Sequence, residues 1–189
     1  MTRILRRATL PVLTAGVLAA LTAVPSGGVT GAAAPAPVDA PASTLVAVAT
    51  NPYGASLATT GYTARARWTI DVLRDNRPML TSCAHGNDGS HSGHTSDSYH
   101  YSGNAGDCYA GNTPGQYPGP IDKDQLQRAA NFAVANAGPL KVEQVIWNGR
   151  IWTWPRRSEG WRTYTGGTGP VGGHYDHVHV SIARPGDGR

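Results

Sequence analysis

The stretch His174-Tyr-Asp-His-Val-His179, continuing into Val-Ser-Ile182, restricts the fold of this chain more than any other. His177 and His179 stand two apart, and Val178 and Val180 alternate with them. In a strand, successive side chains point to opposite faces, so both imidazoles share one face while the valines enter a core. Asp176 has the wrong parity for the histidine face. It reaches that face only if the strand starts after it or a bulge re-aims it.

A second block, Ser98-Tyr-His100-Tyr-Ser-Gly103-Asn-Ala105-Gly-Asp107, adds an imidazole and a carboxylate. Two imidazoles, a carboxylate and a further acid/base group, drawn from two separate blocks, are what a hydrolytic zinc centre with an open coordination position requires. The seven-residue step from His100 to Asp107 breaks strict alternation. Ser102-Gly103-Asn104 must therefore turn the chain to bring both ligands round one ion. A His-x-His pair alone is more often an incidental surface pair, and it is the second block that carries the metal reading.

With S-x-H-x-x-G-x-A-x-D met at every fixed position and H-x-H following, the chain resembles a zinc peptidase superfamily. That superfamily holds bacterial D-Ala-D-Ala carboxypeptidases, related wall endopeptidases and the hedgehog signalling domain. The run Val145-Ile-Trp147-Asn-Gly-Arg150-Ile-Trp152, then a glycine-rich stretch, then His174 to Ser181, looks closer to one subgroup. Its members are secreted actinobacterial proteins whose C-terminal domain is a compact relative of those carboxypeptidases.

The resemblance spans residues 62–182 and implies Zn2+ held by His100, Asp107 and His179. It implies Asp176 as general base, with His177 and His174 orienting active-site groups or stabilising the transition state, and Ser98 supporting the ligands. The implied substrate is a peptidoglycan stem peptide, and the implied partner is peptidoglycan or its peptides. The alternative is a non-catalytic, zinc-stabilised cell-wall-binding or signalling module.

One departure from the family pattern concerns the substrate. Related enzymes often carry an Arg shortly after a T-S pair, whereas Thr81-Ser82 is followed here by Cys83-Ala84-His85. If His85 replaces that Arg, a permanent bidentate cation becomes a group largely neutral at pH 7. Arg150, Arg156, Arg157 and Arg162 are candidates to replace it, against the plainer reading of solvated surface arginines. Trp152, Trp154 and Trp161 are candidates to flank a glycan or peptide groove, with core packing the competing role for Trp147 and Trp152.

Arg3, Arg6 and Arg7 precede an apolar stretch from Leu10 to Val24 and then small residues, the pattern of a secretory signal peptide over residues 1–34. The stretch is short and interrupted for a membrane span. Export leads to a secreted or cell-wall-associated protein. Loss of the three arginines leaves 16 − 3 = 13 Lys+Arg against 12 Asp+Glu, so the net charge falls from +4 to +1. Nucleic acid is therefore not an expected partner, and a monomer is expected. Residues 35–61 read as a Pro/Ala-rich tether and N-terminal segment, residues 62–183 as the zinc peptidase-like domain, and residues 184–189 as a polar tail.

The expected fold is α+β, a small antiparallel sheet with flanking helices, like the hedgehog and D-Ala-D-Ala peptidase domains. Residues 63–76 read as a helix burying Trp68, Val72 and one of Ile70 or Leu73, stopped by Pro78. Residues 79–82 read as a strand. Residues 122–136 read as a helix capped by Asp122 or Asp124, with Leu126, Ala129, Ala130, Ala133 and Val134 inward and Gly138-Pro139 ending it. Residues 142–147 and 150–152 form a hairpin about Asn148-Gly149.

Cys83 and Cys108 make one even pair in an exported chain, which favours a disulfide, with cysteine as a zinc ligand the runner-up. Residues 86–94, with His91 and His94, read as a polar rim loop facing solvent, open to a second metal or to substrate.

Overall fold

The computed structural model describes residues 48–77, 80–84, 86–87 and 94–189. The expected leader, residues 35–47 of the expected tether, Met79, His85 and His91 lie outside the described residues. Among the described residues no helix is long and apolar enough to cross a membrane.

The fold is α+β, as the alternation of helical and strand patterns requires. Helix α1 (Ala64–Asp75) starts at Thr63, whose side chain accepts from the Ala66 N–H, and buries Ala66, Ile70 and Leu73. Those positions form an i, i+4, i+7 stripe along one helix face. Trp68 and Val72, expected inside, are only partly buried, packed against the edge of the core that the other stripe fills.

Strand β1 (Ser82–Ala84) lies about three residues later than the sequence pattern placed it. Its register is tied by the Cys83–Cys108 disulfide, whose two cysteines are directly opposed on β1 and β2 (Ala105–Tyr109). The bridge takes both cysteines out of metal ligation.

Helix α2 (Pro120–Ala135) is capped by neither Asp122 nor Asp124. Gly119 holds the cap position and Pro120 opens the helix, where its missing N–H costs nothing. Asp122 accepts instead from the Gly111 N–H at 3.2 Å. Gly138-Pro139 does not end the helical region, since both fall in a short α3 (Ala137–Leu140) that follows a break at Asn136. Strands β3 (Val142–Trp147) and β4 (Arg150–Thr153) pair around Asn148 and Gly149, whose φ values are 52° and 70°. Two positive φ angles in a row mark the mirror-image turn that suits the right-handed twist of a hairpin.

A short β5 (Arg162–Thr163), a single-turn α4 (Gly169–Gly172) and β6 (Val178–Ile182) complete the chain. The six strands run β1-β2-β6-β3-β4-β5, and every pairing is antiparallel. Strand β6, last in sequence, therefore sits inside the sheet. Val178, Val180 and Ile182 are fully buried with residues of α1 and α2 in one apolar core.

Both expected flanks of the domain are hydrogen-bonded into it. Buried Asn51 donates to Arg65 O and Thr69 Oγ1, each at 2.9 Å. Arg189, expected in a polar tail, lays its guanidinium over Trp154 at 3.5 Å and donates to Ala137 O.

Candidate metal centre

Strands β2 and β6 are neighbours, and their register sets Asp107 directly opposite His179. Opposed residues of an antiparallel pair point to the same face, here the one away from Val178 and Val180. His100 arrives by another route. A 3-10 turn, Tyr99–Ser102, carries it; Ser98 Oγ caps that turn by accepting from the His100 N–H at 3.3 Å. Gly103, at φ 66°, then reverses the chain into β2, and a Cβ there would lie 2.7 Å from Gly61 O.

The three donors form a small triangle. His100 Nε2 is 3.2 Å from His179 Nδ1, Asp107 Oδ1 is 2.9 Å from His179 Nδ1, and His100 Nε2 is 3.4 Å from Asp107 Oδ1. Ligands about 2.0–2.1 Å from a cation of zinc's size, at tetrahedral angles, sit about 3.3 Å apart. The donor set therefore fits such an ion, and all three side chains are buried. His179 Nε2 lies 2.8 Å from Ser181 Oγ. Without a metal, Nδ1 can donate to Asp107 Oδ1; in the metal-binding tautomer the proton is on Nε2, donated to Ser181, and the Nδ1 lone pair faces the triangle. Ser181 escaped the sequence reading, although a residue two beyond His179 on one strand shares its face.

Burial alone would raise the Asp107 carboxyl, but hydrogen bonds from His100 and His179 and the nearby histidine charges hold it well below the usual carboxylate range. Burial lowers His179, partly offset by its hydrogen bond to Asp107. Both shifts favour the forms that bind a metal, carboxylate and neutral imidazole.

Asp176 is fully buried and precedes β6, with no bulge involved. Its Oδ1 is 2.7 Å from His177 Nδ1, and its Oδ2 accepts from the Gly115 N–H at 2.6 Å. Burial works to raise the Asp176 carboxyl, and these two bonds bring it below its ordinary value. His177 turns its other nitrogen toward the triangle, with Nε2 3.6 Å from Asp107 Oδ1. His174, at φ 53°, packs against His177 with the rings tilted by 54° and their centroids 4.7 Å apart, and its buried Nδ1 has no hydrogen-bond partner. Burial and the neighbouring His179 and His177 push His174 down to about 3, so it is neutral at physiological pH.

The model of one protein family, described as VldE, C-terminal domain, matches residues 63–175. The chain belongs to that family. Neither a curated protein nor a solved structure matches it. The VldE match takes in His100, Asp107 and His174 and ends one residue before Asp176, so Asp176, His177 and His179 lie just past its limit.

In this VldE-family domain the triangle opens into a cavity of about 490 Å³, walled by His174, His177, Tyr109 and Tyr164. Asp176 does not line it. His94 does, stacked on the His100 ring at 4.4 Å. None of Arg150, Arg156, Arg157 and Arg162 reaches the cavity. Arg150 donates to Trp161 O, Arg156 pairs with Glu159, Arg157 covers Trp154, and Arg162 donates to Thr153 Oγ1. Trp152, Trp154 and Trp161 stand outside it too, packed in or against the core.

Proposed function

We propose that this chain is an exported zinc-dependent peptidase of the D-Ala-D-Ala carboxypeptidase and hedgehog-like superfamily, acting on peptidoglycan stem peptides. One observation carries the reading: the His100, Asp107 and His179 donors form a zinc-sized triangle at the wall of a cavity that His174 and His177 also line. Three ligands leave a fourth position for water or substrate, the arrangement of catalytic rather than structural zinc.

Bound there, zinc would polarise a scissile carbonyl and make water a nucleophile near neutral pH. His100, Asp107 and His179 hold the ion. Asp176 and His177 work as one unit: Asp176 Oδ1 fixes the ring through Nδ1, and His177 Nε2, on the cavity side, takes the proton of the attacking water and returns it to the leaving amine. Asp176 thus serves as base through His177. His174, neutral and on the cavity wall beside His177, stabilises charge developing on the carbonyl oxygen.

The burial of Asp176 away from the cavity also supports a second reading, a zinc-stabilised wall-binding module without turnover. Digesting purified muropeptides with the zinc-loaded protein and weighing the products separates the two. New fragments from an amide cleavage support the peptidase. Intact muropeptides that co-sediment with zinc-loaded protein support the binding module.

A further inference from the structure

The charges around the cavity are one-sided. Its acidic lining residues are Asp97 and Asp107, and among the described residues no Lys or Arg lines it. In the sequence, residues 85 and 88–93, which lie outside the described residues, contain neither Lys nor Arg. Arg184 comes to this side of the fold but is already engaged. Its guanidinium covers the Tyr99 ring at 4.1 Å and donates to Asp97 O at 3.1 Å.

The remaining lining is suited to a neutral peptide backbone. Gln144 offers an amide, Tyr109 and Tyr164 offer ring faces with hydroxyls, and Gly166 and Gly172 leave room beside them. Asp97 stands exposed at one edge, its Oδ1 accepting from Thr95 Oγ1 at 2.8 Å. Zinc, if bound, is taken up by the scissile carbonyl, so a free carboxylate of a substrate would find no Lys or Arg among the described lining residues and would face Asp97. An ammonium group would find a carboxylate.

We infer that the cavity selects an amide bond within a peptide whose carboxyl end is blocked or continued, with an amine-bearing side chain at the Asp97 edge. The inference rests on the peptidase reading and narrows it to endopeptidase chemistry on cross-linked or amidated stem peptides. In that reaction water forms a C–O bond to the carbonyl carbon as the C–N bond breaks. One water proton goes to the leaving nitrogen, giving an amine, and the acyl part leaves as a carboxylic acid that ionises.

The test uses Lys-D-Ala-D-Ala peptides as the free acid, the C-terminal amide and a form extended past the last residue, each with the lysine amine free or acetylated. Cleavage by the zinc-loaded protein is followed by mass. Affinity is measured by calorimetry on zinc-loaded Asp176→Asn protein, a readout independent of turnover. Amide and extended peptides are expected to be preferred over the acid about tenfold or more, the scale on which an unmatched charge is rejected. Acetylating the amine should weaken binding about two- to fivefold, as for an exposed ion pair, and should have no effect in Asp97→Asn.

Equal or better use of the free acid would overturn the inference and leave the peptidase reading standing. An acetylation effect unchanged in Asp97→Asn would overturn the amine assignment. If no peptide is cleaved or bound while zinc stays in place, the peptidase reading falls and the inference with it.

Discussion

On one face of β6, Val178, Val180 and Ile182 are wholly enclosed by the helices; on the other, His179 and Ser181 are enclosed almost as completely beside Asp107. The apolar face is stabilised by burial itself, about 1.5–3 kcal/mol for each large side chain. The polar face carries a cost that only hydrogen bonds or a metal offset. A strand so divided should fail in two separable ways, losing stability from one side and chemistry from the other.

The sharpest way to break that division is His179→Ala, with His100→Ala as its companion. Elemental analysis should find near-stoichiometric zinc in the wild type and none in either variant. Full retention in both would remove the metal assignment. Next comes Asp176→Asn, which keeps the shape but cannot hold a protonated His177. Turnover should drop about 100-fold or more, the scale of a positioned acid/base group, with zinc still bound. Wild-type rates would reject any proton-handling part for Asp176.

From the other face, Val180→Ala should lower the unfolding free energy by about 2 kcal/mol through lost burial and a small cavity. Denaturant titration measures it, and zinc stoichiometry should not change. If Val180→Ala releases the metal from protein that is still folded, the two faces are not separable.

At neutral pH the smallest effect is the one that appears only on acidification. His174 falls from 6.5 to about 3 on folding, so below pH 6.5 the unfolded chain takes a proton that the folded one refuses. Its neutral form therefore contributes stability that is complete above pH 6.5 and is lost as pH drops toward 3. His179 and Asp107, also lowered, act with the same sign. Melting of the metal-free protein should shift to lower temperature on acidification, and His174→Gln should flatten that slope. A slope of opposite sign would contradict the burial argument.

How far the sequence disclosed this arrangement depended on how distinct each local pattern was. Strand β6 was legible because valine and histidine alternate, and the hairpin because Asn148-Gly149 favours one turn. Strand β2 was not, since Ala105-Gly-Asp-Cys-Tyr109 is buried at every position and shows no alternation. The parity of Asp176 left two ways for it to reach the histidine face, a strand that starts after it or a bulge, and β6 starts at Val178. Parity could not show that its side chain would turn to His177 and Gly115, contacts set by the fold of a distant loop. The arginines before β6 were even less readable, because their partners, Thr153, Glu159 and the Trp161 carbonyl, depend on tertiary placement.

The Cys83–Cys108 bridge spans 25 positions, and the segment it encloses contains both His100 and Asp107. In an oxidised but unfolded chain these two ligands already share one covalent ring. By loop-closure entropy such a ring removes about 3–4 kcal/mol worth of disorder from the unfolded ensemble. If the proposed site binds zinc, an ion reaching that chain would meet two donors at raised local concentration, and only His179 would be recruited from outside the ring. Oxidation would then come before metallation in the order of maturation, and a reduced chain would compete poorly for scarce zinc.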